Sequence, residues 1–448
     1  MIDAGFGRLT DPPASLLLGG VRVLDPSAGT DEVRDVGIVD GRLADPATVP
    51  AGAPRIDGHG LIAAPGFCDL HTHLREPGDA AAETVASGAQ AAARGGYTTV
   101  CAMPNTDPPI DSPDRVRSLL DAGRDAACRV RVIGSVTVGR EGMAVADLEA
   151  MAAAGASGFS DDGASVPSAD TAVQALRALA GLDRPLVEHA EDADLAGGGV
   201  MRAGRTASEL GLAGWPAEAE VAVVERDLAL AAETGARVHL THLSCAASLE
   251  AIRRAKADGV RVTCDVTPHH LAMAETWIAG DRAFSWDEPR RDATLAFDPM
   301  CRVNPPLTTR EDAAALLAGI VDGTIDAIAT DHAPHPAERK LVPFDQAAPG
   351  LIGLETALSL GLAAVEAGAL PLAALVAALS SRPAAIIGEA RGLVVGDVAD
   401  LVVFDPSARW RVDRPTLASA STNTPLLGMT LPGVVRLTIA DGRVTYRA

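Results

Sequence analysis

Two histidines at i and i+2, His71 and His73, close the run Pro65-Gly66-Phe67-Cys68-Asp69-Leu70-His71-Thr72-His73-Leu74-Arg75. The run reads as an apolar strand. Side chains two apart on a strand project to one side, so both imidazoles face a common point, as ligands of one metal ion do. For the pair taken alone, the lesser alternative is two partly exposed surface histidines at a strand end. Further ligand types stand where other apolar, β-rich runs stop: Asp161 and Asp162 after Ser157-Gly158-Phe159-Ser160, His189 after Pro185-Leu186-Val187-Glu188, His242 after Val238-His239-Leu240-Thr241, and Asp331 after residues 325–330. Imidazole nitrogen and carboxylate oxygen without thiolate suit a catalytic zinc or a similar divalent ion. The set exceeds what one tetrahedral ion uses. Two ions sharing a carboxylate is the economical arrangement, and a hydroxide held between them is a nucleophile at neutral pH, because bound water has its pKa lowered to about 7.

The elements that must position these residues alternate. Eight short β-like runs lie between residues 65 and 332, ending near His73, Asn105, Thr137, Asp162, His189, His242, Pro268 and Asp331. Alanine-rich helical patterns fill the gaps at Ala80 to Arg94, Pro113 to Ala122, Val145 to Ala154, Ala169 to Ala180, Ala217 to Thr234 and Ala246 to Ala257. Eight such units predict an α/β protein whose parallel strands close into a (β/α)8 TIM-like barrel, with its active site at the C-terminal strand ends where the candidate ligands stand. The charged, aperiodic stretch from Thr276 to Cys301 is either a lid or a surface insertion.

Both chain ends read differently, as short strands and turns, with Asp40-Gly41 a hairpin signal. The expected organisation is a small flanking β domain from residues 15–62 plus 392–448, a metal-dependent hydrolase barrel over 63–391, and a loose leader over 1–14. The leader lacks a basic segment followed by an apolar one, so it is not a secretory signal. No uninterrupted apolar run reaches the roughly 18 residues of a membrane span. The net charge of −21 disfavours nucleic acid and anionic membranes as partners. Six scattered cysteines (68, 101, 128, 245, 264, 301), none in Cys-x-x-Cys spacing, fit buried thiols in a reducing cytoplasm.

The order His-x-His, Asp, His, His, Asp on strands one, four, five, six and eight resembles the amidohydrolase superfamily. Within it, Asp69-Leu70-His71-Thr72-His73-Leu74-Arg75-Glu76-Pro77-Gly78, Met103-Pro104-Asn105-Thr106, Phe159-Ser160-Asp161-Asp162-Gly163, Asn304-Pro305-Pro306-Leu307 and Ala329-Thr330-Asp331-His332-Ala333-Pro334-His335 are similar to bacterial type I dihydroorotases. The resemblance spans about residues 16 to 445. It implies two Zn2+ per subunit, with His71, His73 and Asp331 on one, His189 and His242 on the other, and Asp162 and a hydroxide as bridges. Spacing within the family favours Asp162 as the bridge; the residues alone do not separate it from Asp161. Many amidohydrolases bridge their metals with a carbamylated lysine. Here Lys256 lies in a helical pattern and Lys340 in a loop, and there is no other lysine, so the bridge must be a carboxylate.

The family's reaction is the reversible, metal-dependent cyclisation of N-carbamoyl-L-aspartate to L-dihydroorotate in pyrimidine (UMP) biosynthesis. The resemblance implies that Asp331 is the catalytic proton carrier, that Arg75 binds the substrate's second carboxylate as a bidentate fork, and that Asn105, Asn304, His335 and the backbone near Gly350 complete substrate binding. It also allows a homo-oligomer and an association with aspartate transcarbamoylase. Rival readings are another cyclic amidohydrolase, hydantoinase- or allantoinase-like, and a non-catalytic scaffold for aspartate transcarbamoylase. Departures from the family are the leader, the 276–301 insertion, and Ala348-Pro349-Gly350, where an aromatic more often precedes the glycine. His59 reads as a turn residue, His239 as a satisfied core residue and His332 as structural. His269 and His270 either orient ligands or cap the barrel.

Overall fold

The computed structural model describes residues 5–448. Its centre is an eight-stranded, all-parallel sheet in which sequential neighbours pair: β1 (Phe67–Thr72), β2 (Tyr97–Ala102), β3 (Arg129–Gly134), β4 (Ala156–Phe159), β5 (Leu186–Glu188), β6 (Val238–Leu240), β7 (Val262–Val266) and β8 (Ala327–Ile328). The sheet closes on itself just past β8, where Thr72 bridges His332 in parallel and His73 N donates to His332 O at 2.9 Å. The strands are buried almost throughout, as expected of a sheet covered by helices outside and packed side chains inside. Leu70, Cys101, Met103, Ile133, Val187 and Ala327 form part of one enclosed cluster.

The helices begin where local capping permits. The pattern expected from Ala80 becomes a helix only at Val85, because Thr84 and Ser87 form a reciprocal capping box. The preceding turn instead sends Glu83 into the interior. The helix expected from Val145 starts at Leu148, with Asp147 accepting from Ala150 N at 3.0 Å.

The flanking sheet has nine strands drawn from both ends of the chain. Leu401–Arg411 pairs antiparallel with Thr430–Ala440 on one side and with Ile62–Pro65 on the other, and Leu16–Asp25 continues the sheet. Asp40-Gly41 turns the hairpin between Thr30–Val39 and Arg42–Ala44, both residues having positive φ (48° and 77°), as a type I′ turn needs. Asp441-Gly442 repeats this turn (49° and 76°), and the two turns touch: a Cβ on Gly442 would lie 2.5 Å from Gly41 O.

The expected loose leader needs correction. Gly5–Phe6 pairs antiparallel with Tyr446 and Arg447, Leu9 N donates to Ala126 O at 3.0 Å, and Ala14 is buried. Backbone pairing with an otherwise open edge strand accounts for its order. Residues 1–4 of that leader lie outside the described residues.

The 276–301 stretch is anchored rather than free. Trp277 is fully buried, stacks on Phe284 (6.2 Å between centroids) and donates to Ala283 O at 2.8 Å. Trp277, Ile278 and Cys301 share a core cluster with Val412, Leu426 and Leu431. Only its tip is largely exposed.

Candidate metal centre

His71 is the penultimate residue of β1, and each of the other candidate ligands stands one to three residues beyond a barrel strand, on the same rim. His71 Nε2 lies 3.2 Å from Asp162 Oδ1 and 3.6 Å from Asp331 Oδ1. His73 Nε2 lies 3.0 Å from Asp331 Oδ1 and 3.6 Å from Asp162 Oδ2. His189 Nδ1 is 2.9 Å from His242 Nε2 and 3.6 Å from Asp162 Oδ1. Two subsets bring their donor atoms within 4.8 Å of one another: His71, His73 and Asp331, and His71, Asp162 and His242. The first is the trio expected to hold one ion. The second joins His242 to Asp162 through His71, with His189 beside them.

The adjacent aspartates divide by geometry. Asp162 points into the imidazoles, whereas Asp161 turns away and accepts from Val136 N (2.9 Å), Thr137 N (3.1 Å) and the Thr137 hydroxyl. Neither lysine approaches. Lys256 Nζ pairs with Asp326 at 2.6 Å, and Lys340, at the end of a short helix (Ala337–Lys340) rather than in the expected loop, gives its protons to three carbonyls.

The outward ring atoms of the histidines are held by Thr241 and Glu191, which carry no role in the sequence analysis, and by Asn105. His71 Nδ1 lies 2.8 Å from Thr241 Oγ1, which donates to Asp265 Oδ2 at 3.0 Å. His73 Nδ1 lies 2.8 Å from Asn105 Oδ1, while Asn105 Nδ2 donates to Asp162 Oδ2 at 2.9 Å. His189 Nε2 meets Glu191 Oε2 at 3.1 Å, and Asn304 Nδ2 donates to the same oxygen at 2.7 Å. Each arrangement turns the other nitrogen of the ring toward the centre, as outer partners of metal-bound histidines do. Asn105 and Asn304, expected to touch substrate, are thus engaged on ligands or their partners. Glu191, at i+2 from His189, repeats the strand-end alternation, the signal by which it could be found from sequence.

Backbone strain gathers here. Arg75, His242 and Asp331 have φ of 60°, 40° and 44°. Left-handed backbone at such residues costs about 1–3 kcal/mol each and persists where surroundings over-determine it. At His242 the restraint is visible: its N–H donates to Asp265 Oδ1 at 2.6 Å.

The electrostatics favour a cation. Burial opposes charge on His71, but Asp162 and Asp331 outweigh it and raise its pKa to about 9. Burial likewise opposes charge on His189, and Asp162 and Glu191 raise it to about 10. Asp331 is buried, yet the hydrogen bond to His73 and the charge of His71 hold it well below the carboxylate range. His71 Nε2 is buried with no hydrogen-bond partner. Buried carboxylates, an orphaned imidazole nitrogen and a thiolate-free donor set together fit divalent metal.

Arg75 and His335 stand beside the centre. Arg75 Nε donates to Pro334 O at 3.1 Å, and its Nη2 lies 3.4 Å from His335 Nε2. His335 Nε2 also lies 2.8 Å from Pro349 O, and burial with the Arg75 charge pushes its pKa down to about 3, so the ring is neutral. At Gly350 (φ 130°) a Cβ would sit 2.6 Å from Ala333 Cβ and 3.1 Å from His335 Nε2, so only glycine lets the backbone approach this closely.

The remaining histidines are accounted for as follows. His59 is exposed against Asp57, and His239 is buried between Thr263 Oγ1 (2.9 Å) and Asp265 Oδ2 (2.8 Å). His332 bonds Glu83 at 3.2 Å and accepts from Gly353 N at 3.2 Å. His270 ties Thr267 to Pro305 O, whereas both ring nitrogens of buried His269 are without partners.

Comparison with known proteins extends this geometry. A family described as dihydro-orotase-like matches residues 60–248, and one described as the amidohydrolase family matches residues 363–446. The chain is 42% identical over 438 residues to a dihydroorotase of Pelobacter propionicus, covering 97% of this chain and 100% of that one. It is 44% identical over 437 residues to a dihydroorotase of an Anaeromyxobacter species, covering 96% and 98%. Among solved structures, the L-hydantoinase (dihydropyrimidinase) from Arthrobacter aurescens superposes with a TM-score of 0.83 at 26% identity, covering 97% of this chain and 96% of that one. A D-hydantoinase shares the fold with a TM-score of 0.80 at 22% identity, covering 96% of each chain.

Proposed function

The chain belongs to the dihydroorotase family, and from that membership we propose that its rim of histidines and aspartates is a binuclear zinc centre that interconverts N-carbamoyl-L-aspartate and L-dihydroorotate. The observation that carries this reading is the convergence of His71, His73, His189 and His242 on Asp162 and Asp331, with Arg75 beside them. His71, His73 and Asp331 would hold one ion and His189 and His242 the other, with Asp162 shared. When bound, zinc supplies Lewis acidity toward the amide oxygen and a water acidic enough to ionise near neutral pH.

The chain's own residues do the rest. In hydrolysis the ring bond between the amide carbonyl carbon and the ureido nitrogen breaks. Asp331, kept ionised by His71 and His73, accepts the proton of the attacking water and returns it to the departing nitrogen. In ring closure the same carboxylate takes the proton from the ureido nitrogen as that nitrogen attacks the substrate's side-chain carboxylate carbon, and an oxygen of that substrate carboxylate leaves as water with that proton and a second one taken from solvent. Arg75 offers a planar fork to the carboxylate that takes no part in bond making. His335 is neutral, its single N–H at Nε2 held by Pro349 O, so it adds no second buried charge beside Arg75.

The six cysteines are all free and buried, which supports a reducing cytoplasm as the compartment. No helix among the described residues is long and apolar enough to cross a membrane. A homo-oligomer and association with aspartate transcarbamoylase belong to the same reading, and size-exclusion chromatography with and without that enzyme tests them.

The deciding experiment is turnover of L-dihydroorotate, followed by ultraviolet absorbance, before and after chelation and after zinc restoration. Metal-dependent hydrolysis that falls roughly 10²–10⁴-fold in Asp331→Ala is expected. Hydrolysis of hydantoin or allantoin with none of dihydroorotate would replace the substrate, and a metal-loaded but inert protein would favour the scaffold.

A further inference from the structure

One cation in this molecule is spent entirely on backbone. Lys340 is fully enclosed, and its ammonium donates to Arg302 O (3.1 Å), Ala348 O (2.8 Å) and Gly350 O (3.0 Å). An ammonium has three N–H donors, so its capacity is filled by carbonyls alone. Burial of a charge is costly, and here it pushes the lysine pKa down to about 7. A generic surface turn would not need such a group.

What the three carbonyls share is their neighbourhood. Arg302 lies two residues before Asn304, and its carbonyl also accepts from Gly350 N at 2.8 Å. Pro349, between the other two acceptors, offers its carbonyl to His335 Nε2 at 2.8 Å. Asn423 closes the same assembly from the flanking segment: its Nδ2 donates to Ala333 O (3.0 Å) and Gly350 O (3.1 Å), and its Oδ1 accepts from His335 N (3.0 Å). The Ala348-Pro349-Gly350 turn therefore touches His335 directly, and His335 lies 3.4 Å from Arg75.

We propose that Lys340 is a positioning residue for substrate: its ammonium gathers the 302 and 348–350 carbonyls, fixes His335 through Pro349, and so presets the pocket that receives the ring carboxylate beside Arg75. Lys340 touches neither substrate nor metal ligands. The inference rests on the dihydroorotate reading.

The test compares wild-type holoenzyme with Lys340→Met, which keeps length and removes the charge. Three readouts are taken: KM and kcat for L-dihydroorotate, the Kd of orotate against that of dihydrouracil, a ring without the carboxylate, and zinc content. The expected result is a KM raised at least tenfold with kcat within threefold. Orotate binding should weaken by a similar factor, dihydrouracil binding should stay unchanged, and zinc should be retained. Hydrogen exchange should quicken at residues 344–352 and not across the barrel strands. Equal weakening for both rings, loss of zinc, or unaltered KM overturns the proposal. Should Lys340→Met fail to fold, Lys340→Gln keeps two donors and must show the same carboxylate-selective loss at smaller size. Absence of dihydroorotate turnover in the wild type would instead overturn the parent reading, which separates the two failures.

Discussion

The Thr241 hydroxyl lies 2.8 Å from His71 Nδ1 and donates to Asp265, so its oxygen receives the imidazole proton and leaves His71 Nε2 bare toward the metal centre. Asp265 is itself fixed by His239 Nε2 at 2.8 Å and His242 N at 2.6 Å. Two ligands on strands distant in sequence thus share one anchoring carboxylate. Thr241→Val preserves shape and removes the acceptor. Zinc affinity, measured by competition with a chromogenic chelator, should fall roughly 10–100-fold, with turnover restored by excess zinc. An unchanged affinity would deny Thr241 this role.

Neighbouring aspartates should fail in different ways. Asp161→Ala strips three donors around residues 136–137 of their acceptor and should cost about 1–3 kcal/mol in chemical denaturation. Zinc binding should be retained. Asp162→Ala should lose the paired metal content while the fold survives. Reversed phenotypes would exchange their assignments.

Arg75→Lys should keep full zinc content and raise KM for dihydroorotate at least tenfold. A lysine ammonium is a point charge and cannot reproduce the planar fork. Steady-state kinetics with metal analysis reads this directly, and identical kinetics would remove Arg75 from the carboxylate pocket.

Protonation and metal should compete. In the metal-free protein His71 and His189 have pKa values raised from 6.5 to about 9 and about 10. A raised histidine stabilises the fold fully below its unfolded pKa, near 6.5, and that stabilisation is lost as pH rises through the folded value. Metal-free protein should therefore melt at progressively lower temperature between pH 7 and 10. Zinc affinity should rise over the same window, because both rings must shed a proton to ligate. Calorimetry in buffers of differing ionisation enthalpy should count protons released on binding; none released would contradict the assignment.

Much of this molecule was legible along the chain because it depends on local periodicity. Strand runs ending in His-x-His, Asp, His, His and Asp place ligands on one rim once the strands are parallel. That arrangement follows from alternation of elements and needs no knowledge of distant contacts. Asp40-Gly41 likewise dictates a turn by its own backbone preference. The first barrel helix starts at Val85 rather than Ala80 because the Thr84/Ser87 cap, not alanine-rich composition, sets its boundary.

Other features had no local signature. Asp161 and Asp162 differ only in which way the chain turns as it leaves β4, and the donors at Val136 and Thr137, just past β3, decide that. Thr241 reaches His71 across 170 residues, and Glu83 reaches His332 across 249. Lys340, which the sequence places in a loop and excludes as a metal bridge, acquires its partners only when residues 302 and 348–350 are folded against it. The sequence by itself determined the donor types, their rim and the barrel that carries them, because periodicity and turn chemistry act over a few residues. Only the tertiary structure decided which nitrogen each histidine turns inward and which lysine charge is buried, because those choices are made by hydrogen-bond partners that chain closure brings together from far apart.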